Sequence, residues 1–169
     1  MRQDDFSNAC GNCKIVCCRG AHPPLTPERI RIIDSHQPQL QSSWYCREEY
    51  AYPRETSRGC VFLDDGKMCT IQPYKPETCV AGPITFDINV GKSVIDWYLK
   101  TEKICKLAGI LSRDDEMLRK HLKSAKREIN NLIRRLSKEE LLTILTIDEP
   151  DTFKIDEDKL DSETLKKLR

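Results

Sequence analysis

The chain has 169 residues, of which 33% are charged, with a formal net charge of +1 and a mean hydropathy of −0.57. These values are typical of a soluble globular protein, and no apolar run approaches the roughly 18 residues of a membrane-spanning helix. Residues 1–5 lack the apolar segment of a secretory signal, which predicts a cytoplasmic protein.

Nine cysteines are the most unusual feature of the composition. Disulfides are rare in the reducing cytosol, and an odd number of cysteines cannot pair completely. The cysteines therefore indicate a metal site more than a disulfide framework, which would require export by another route.

The first cysteines form a tight cluster in the sequence. Gly11 and Asn12 separate Cys10 from Cys13, and both tolerate the left-handed backbone that turns two sulfurs towards one metal. Thiolates are soft ligands suited to zinc, copper(I) and iron–sulfur clusters. The later members of the group follow one another at intervals of nine and ten residues. The predicted ligand pool comprises Cys10, Cys13, Cys17, Cys18, Cys60, Cys69 and Cys79.

A helix is predicted directly after the first cysteines. Thr26 is a favourable N-cap and Pro27 suits the first turn, so the helix is expected to run to about Gln37. Residues 38–59 show no clear period and are predicted to form a long loop that packs its aromatic side chains over the cysteine region.

Two β-hairpins are predicted next. Residues 61–63 and 68–71 flank the turn signal Asp64-Asp65-Gly66, and residues 84–88 and 94–99 flank a second turn. Between the hairpins, the surrounding prolines predict an extended or turning chain around Cys79.

From residue 101 the hydrophobic period becomes helical. Thr101 is expected to start one helix, Ser112–Asp115 to open a longer one, and Ser137 a short one. Beyond Pro150 the sequence predicts an acidic tail that ends in an amphipathic stretch over 162–168. The long helix has a seam expected to pack on this chain's own helices: Leu118, Leu122, Ala125, Ile129, Leu132 and Leu136.

The predicted fold class is α+β. A small cysteine-rich metal-binding domain with short β-hairpins is expected over residues 1–100. A helical C-terminal half with an acidic tail is expected over residues 101–169. The two parts are expected to pack together as one structural unit.

The number of thiols bears on the choice of metal. A structural zinc takes four ligands and would leave three of the seven cysteines without a role. A [4Fe–4S] cluster also takes four thiolates but commonly has further cysteines nearby. Neighbouring side chains diverge, so one of Cys17 and Cys18 can bind while the other faces away. We therefore expect an iron–sulfur cluster, with zinc as the alternative.

The same residues carry a resemblance to a known family. Cys10-x2-Cys13-x3-Cys17-Cys18, joined to Cys60-Val61-Phe62-Leu63 and to Cys69-Thr70-Ile71 and Lys75-Pro76-x2-Cys79, resembles the CxxCxxxCC or YkgJ-type cysteine-cluster family. The resemblance implies bound zinc or iron, in some relatives an iron–sulfur cluster, and covers about residues 8–85. Lys75 stands where the family has arginine, and Gln72-Pro73 where tyrosine is common.

The sequence offers little support for an enzyme. The three histidines form no metal-binding pair, although His22 lies near the cysteines, and no phosphate-binding loop or nucleophile elbow is present. We expect a non-catalytic iron–sulfur protein that docks on a larger protein or enzyme complex and responds to redox state or oxygen. An electron-transfer or redox-enzyme component and a zinc-stabilised binding module are the alternatives.

Residues 112–138 are rich in lysine and arginine, which raises the possibility of nucleic-acid binding. The acidic stretch 148–163 could pair with this basic face within the chain, and the net charge is nearly neutral. A larger protein complex, which could itself be attached to a membrane, is therefore the expected partner, and nucleic acid is not favoured.

Overall fold

A computed structural model describes residues 10, 17–41, 43–64, 68–149 and 151–169. The first helix, α1, spans Pro27–His36 and confirms the sequence prediction. The Thr26 side chain caps it by accepting a hydrogen bond from the Arg29 amide at 3.1 Å. Ile30 and Ile33 form its buried side, and a 3-10 turn over Pro38–Leu40 follows.

The prediction of a long loop over residues 38–59 is wrong. Two antiparallel ladders occupy much of it: β1 (Tyr45–Arg47) with β2 (Ala51–Pro53), and β3 (Glu55–Thr56) with β4 (Gly59–Cys60). Strands of two or three residues are too short to display a period in sequence, so the pattern could not reveal them.

The first predicted hairpin is reduced to a single bridge in the described residues. Leu63 pairs with Cys69, and the Thr70 amide donates to the Phe62 carbonyl at 2.8 Å. Residues 65–67 of the predicted turn lie outside the described ranges. Helix α2 (Glu77–Ala81) replaces the extended segment expected around Cys79, so that prediction is wrong. Its five residues are too few to show helical periodicity.

The second predicted hairpin is confirmed as β5 (Ile84–Asn89) and β6 (Val94–Lys100). A third strand, β7 (Thr152–Lys159), pairs antiparallel with β6 and gives the order β5-β6-β7. The sequence indicated only an acidic tail here, because the many charges of β7 obscure its alternation.

The C-terminal helices are α3 (Lys106–Leu111), α4 (Asp115–Arg135), α5 (Lys138–Leu145) and α6 (Ser162–Leu168). The expected helix start at Thr101 is wrong, because residues 101–105 form turns before α3. The capping box before α5 is confirmed: the Glu140 amide donates to Ser137 Oγ, and the Ser137 amide donates to Glu140 Oε2.

Two buried clusters stabilise the α+β fold. In the larger one, the seam of α4 and the apolar faces of β5 and β6 pack together, as expected of helices that cover one side of a sheet. Trp97 is fully buried there. The smaller cluster lies under α1 and the short ladders: Leu25, Ile30, Ile33, Trp44, Ala51, Phe62 and Ile71. The division of the chain into two parts at residue 100 stays a prediction.

Candidate metal centre

The described cysteines of the predicted pool are carried by several different elements. Cys17 and Cys18 lie in the turn before Gly20, Cys60 ends β4, and Cys69 forms the bridge with Leu63. The Cys60 amide donates to the Cys18 carbonyl at 2.8 Å, which ties the adjacent pair of cysteines to β4. The backbone therefore brings together thiols that are far apart in sequence.

Gly59 permits this close approach. Its φ is +120°, and a Cβ at this position would lie 2.8 Å from the Cys18 carbonyl oxygen. An L side chain would be strained there and would collide with backbone. Glycine at position 59 thus allows β4 to approach the turn that carries the adjacent cysteines.

The adjacent cysteines titrate differently. A hydrogen bond from Cys18 lowers the pKa of Cys17 to about 6, and the positive charges of Lys100 and Lys75 also favour its thiolate. The same hydrogen bond, with burial and the charge of Cys17, raises the pKa of Cys18 far above its ordinary value. The hydrogen bond therefore favours the thiolate on Cys17 and the protonated thiol on Cys18.

The other three thiols belong to the same electrostatic group. Burial raises the pKa of Cys79, with Cys69, Cys17 and Cys60 adding to the increase while Lys75 opposes it. Burial is also the main cause of the raised pKa of Cys69 and Cys60, and each of these interacts with another cysteine of the group. Five thiols thus share one region: Cys17, Cys18, Cys60, Cys69 and Cys79.

The remaining predicted ligands are placed differently. Cys10 is exposed, and Cys13 lies outside the described residues. Within the described ranges, no three cysteine, histidine, aspartate or glutamate side chains are arranged to hold one metal ion. The five neighbouring thiols would need to close further around a metal before they could bind it together.

Two lysines lie near the thiols, and the sequence could predict this position for only one of them. Lys75 stands in the cysteine motif, whereas Lys100 lies at the end of β6, and only the fold brings it near Cys17. Lys100 also forms an ion pair with Glu149 at 2.8 Å. Because thiolates repel one another, nearby cations favour a group of several deprotonated sulfurs.

His22 is already engaged in other contacts. Its ring stacks on Tyr52, with centroids 4.4 Å apart, and its Nε2 lies 3.6 Å from Glu55 Oε2. The other oxygen of Glu55 accepts a hydrogen bond from the Gly20 amide at 2.7 Å. Glu55 therefore anchors the turn after Cys18 at two points, and His22 belongs to this anchor.

His121 contacts the C-terminal end of the helix that carries Cys79. Its Nε2 lies 3.0 Å from the carbonyl oxygens of Ala81, the last residue of that helix, and of Gly82, which follows it. Burial lowers the pKa of this imidazole, and Lys75 adds to the effect against the two carbonyl contacts. A neutral ring that donates from Nε2 satisfies this position.

A comparison with known families places these cysteines in context. The model of the CxxCxxCC family, described as "Putative zinc- or iron-chelating domain", matches residues 9–106, more than half of the chain. This chain belongs to the CxxCxxCC family. The resemblance expected from the cysteine pattern is thus confirmed. A search of curated proteins and a search of solved structures each gave no match.

The thiols suit the metals that the CxxCxxCC description names. A group of neighbouring sulfurs is a donor set for zinc or iron rather than for magnesium or calcium. The chain therefore carries a metal-binding cysteine-cluster domain. In the described part of the chain, no helix has the length and apolar character needed to cross a membrane.

Proposed function

We propose that this CxxCxxCC chain is a non-catalytic iron–sulfur protein that docks on a larger protein or enzyme complex and responds to redox state or oxygen. The proposed ligands come from the pool Cys10, Cys13, Cys17, Cys18, Cys60, Cys69 and Cys79. The observation that carries the proposal is the shared electrostatic environment of five of these thiols.

The number of neighbouring sulfurs supports a [4Fe–4S] cluster over a single zinc ion. Four thiolates would bind the cluster, and the additional sulfurs would lie beside it. The thiol–thiolate pair of Cys17 and Cys18 supports the same choice, because one sulfur is already suited to bind and its neighbour to donate a hydrogen bond.

A bound metal would link the oxidation or loss of the metal site to the conformation of the surrounding elements. The five described thiols lie on the turn at 17–18, on β4, beside the Leu63–Cys69 bridge and on α2. Ligation would pull these short elements together, and loss of the metal would release them. A change of surface shape is what a docking partner could detect.

The experiment that tests the proposal is metal analysis of protein purified without oxygen. We expect about four iron and four acid-labile sulfide per chain, with a broad visible absorbance that fades in air. One zinc per chain without colour would overturn the iron–sulfur proposal and favour a zinc-stabilised binding module.

An electron-transfer role is the second candidate, because Cys17 lies near the exposed surface, where electrons could enter. A relay must cycle reversibly, whereas a sensor needs only a change in binding. Repeated reduction and reoxidation with full recovery of the spectrum, together with partner binding that does not depend on air, would favour the relay.

The ion pairs of α4 support a protein partner over nucleic acid. Lys126 contacts Asp156 and Asp158 of β7, both at 2.7 Å, and Arg135 contacts Glu28 at 2.6 Å. These charges are thus partly neutralised within the chain. Nucleic-acid affinity that falls steeply between low and moderate salt would contradict this choice.

A further inference from the structure

The three-stranded sheet has two edges that differ in charge. Within the described residues, its order is β5-β6-β7, so β5 and β7 each pair with one strand only. β7 carries five charged side chains, whereas β5 carries only Asp87. Charged side chains on an edge strand discourage another strand from pairing with it. β5 is therefore the edge better suited to accept a further strand.

The register defines which backbone groups of β5 face outward. The Lys100 amide donates to the Pro83 carbonyl, and Thr85 lies opposite Tyr98. Because inward and outward residues alternate in an antiparallel ladder, Thr85 bonds to β6 and Phe86 directs its N–H and C=O away from it. The Ile88 amide, which also faces outward, donates to its neighbour's side chain, Asp87 Oδ1, at 2.7 Å.

A cavity of about 340 Å³ adjoins this edge. Thr85, Phe86 and Asp87 of β5 line it together with Tyr98 of β6 and Thr152 of β7, so the cavity extends from the edge strand over one face of the sheet, and residues 144–149 border it from outside the sheet. Ile147 belongs to this lining and is 51% exposed. A strand added to the β5 edge would thus place the side chains of one of its faces beside this cavity and the exposed Ile147.

The cavity lining is acidic. It includes Asp87, Asp148 and Glu149 and contains no lysine or arginine. Glu149 is paired with Lys100. Asp87 is exposed, and its Oδ1 accepts only the neutral Ile88 amide in the contacts described. A cationic group of a partner would therefore gain charge complementarity here.

We propose that the β5 edge and the adjoining cavity form the docking site for an extended segment of a partner protein in which basic side chains alternate with apolar ones. The segment pairs with the Phe86 backbone as a fourth strand. Its basic side chain meets Asp87 and Asp148, and an apolar side chain covers Ile147. This inference rests on the proposed docking function and specifies its surface.

A second copy of this chain fits the same edge less well. Antiparallel pairing of β5 with its own copy places the two Asp87 carboxylates opposite each other when Phe86 pairs with Ile88, and diagonally across the strand pair when Phe86 pairs with Phe86; like charges across a strand pair are destabilising. Charge complementarity thus selects a basic segment rather than a dimer.

The test uses the full metal-loaded chain and two capped peptides, one alternating valine with lysine and one alternating valine with glutamate. We expect the lysine peptide to bind and to slow amide hydrogen exchange at Phe86, and the glutamate peptide to do neither. The variant Asp87→Lys should weaken binding of the lysine peptide about three- to tenfold. The matched variant Glu157→Lys, on β7, should leave it unchanged.

A lysine peptide with N-methylated backbone amides on the pairing side should lose binding to the unaltered protein, because those amides can no longer pair with β5. This result does not depend on how well Asp87→Lys folds. Failure of the lysine peptide to bind, binding without protection of Phe86, or equal binding of the methylated peptide would each overturn the docking site. Concentration-dependent dimerisation that protects Phe86 without peptide would identify a second copy instead and would also overturn it.

Metal content measured in the same samples separates the two proposals. Iron and sulfide with no peptide binding would overturn the docking site and leave the cluster proposal standing. Peptide binding at Phe86 in a protein that holds zinc and no iron would overturn the iron–sulfur proposal and leave the docking site standing.

Discussion

The Nε atom of Arg29 lies 3.4 Å from Oε1 of Glu77, a carboxylate whose side chain is only 1% exposed. The same oxygen accepts a hydrogen bond from Thr26 at 2.9 Å. Nη2 of Arg29 reaches Glu128 of α4 at 3.0 Å. One partly buried cation therefore joins α1, the helix that carries Cys79, and the long C-terminal helix.

Replacement of this cation should be costly. We expect Arg29→Met to lower the free energy of unfolding by about 3 kcal/mol, because Glu77 would remain buried without its positive partner. Urea denaturation of the purified variant measures the loss. Arg127→Met is the matched control: its side chain is 75% exposed and contacts Glu128 from the surface, so the change should be below about 0.5 kcal/mol.

A double variant tests whether the charge itself is responsible. Glu77→Gln keeps an oxygen for Thr26 and removes the buried negative charge. In the Arg29→Met background it should recover roughly 1 kcal/mol or more of the loss. Strictly additive effects of the two substitutions would contradict an interaction between these residues.

Cys17 should be the most reactive thiol at mildly acidic pH. In reduced, metal-free protein we expect its alkylation by iodoacetamide to reach half of the maximal rate near pH 6, because its pKa is lowered to about 6. Cys69 should react far more slowly, since burial raises its pKa. Peptide mass spectrometry across a pH series measures both rates.

Cys18→Ala provides the control for this reactivity. The substitution removes the hydrogen bond that contributes most to lowering the pKa of Cys17, so the alkylation profile should move to higher pH. An unchanged profile would mean that the two lysines and a backbone hydrogen bond stabilise the thiolate without Cys18.

His121 should make the fold sensitive to acid. Burial holds its pKa below the value of 6.5 expected in the unfolded chain, so the unfolded state binds the proton more readily. The stabilising contribution is complete above about pH 6.5 and is lost as the pH falls towards the lowered folded pKa. The stability difference between the natural protein and His121→Gln should therefore shrink on acidification. Denaturation midpoints of both proteins at several pH values would reveal a constant difference if this assignment is wrong.

Removal of a proposed ligand should weaken metal binding selectively. Cys79→Ser should lower the affinity for the bound metal at least about tenfold, because even residues behind the ligands commonly have effects of that size. Cys46→Ser is the matched control, since Cys46 lies in β1 outside the cysteine pattern. Metal content after dialysis against a chelator measures the difference. Equal retention by the two variants would remove Cys79 from the ligand pool.

The sequence predicted those features that have a long or regular signal. The seam of α4 extends over several turns, and its buried members Ala125, Ile129 and Leu132 pack as expected. Ser137 marked the start of α5 through a local capping box, which depends on residues three apart. The family resemblance followed from cysteine spacing alone, and the family match confirms it.

The features that were missed depend on contacts between distant parts of the chain. β7 is half-exposed and highly charged, and only its pairing with β6 makes it a strand. Lys100 lies near Cys17 because the end of β6 approaches the turn at residues 17–18. A local sequence pattern cannot predict such a contact. Glu77 gave no sign of burial, since its partners Thr26 and Arg29 lie about 50 residues earlier, at the start of α1.

The extent of the family match has a practical consequence for dissection of the chain. The match ends at residue 106, yet β6 pairs with β7, and Trp97 and Leu99 are covered by a core that includes Ile129 and Leu132. A fragment that stops at the family boundary would leave one long side of β6 unpaired and expose two fully buried side chains to water. Such a fragment should aggregate rather than fold, so the cysteines should be studied with the C-terminal helices and β7 attached.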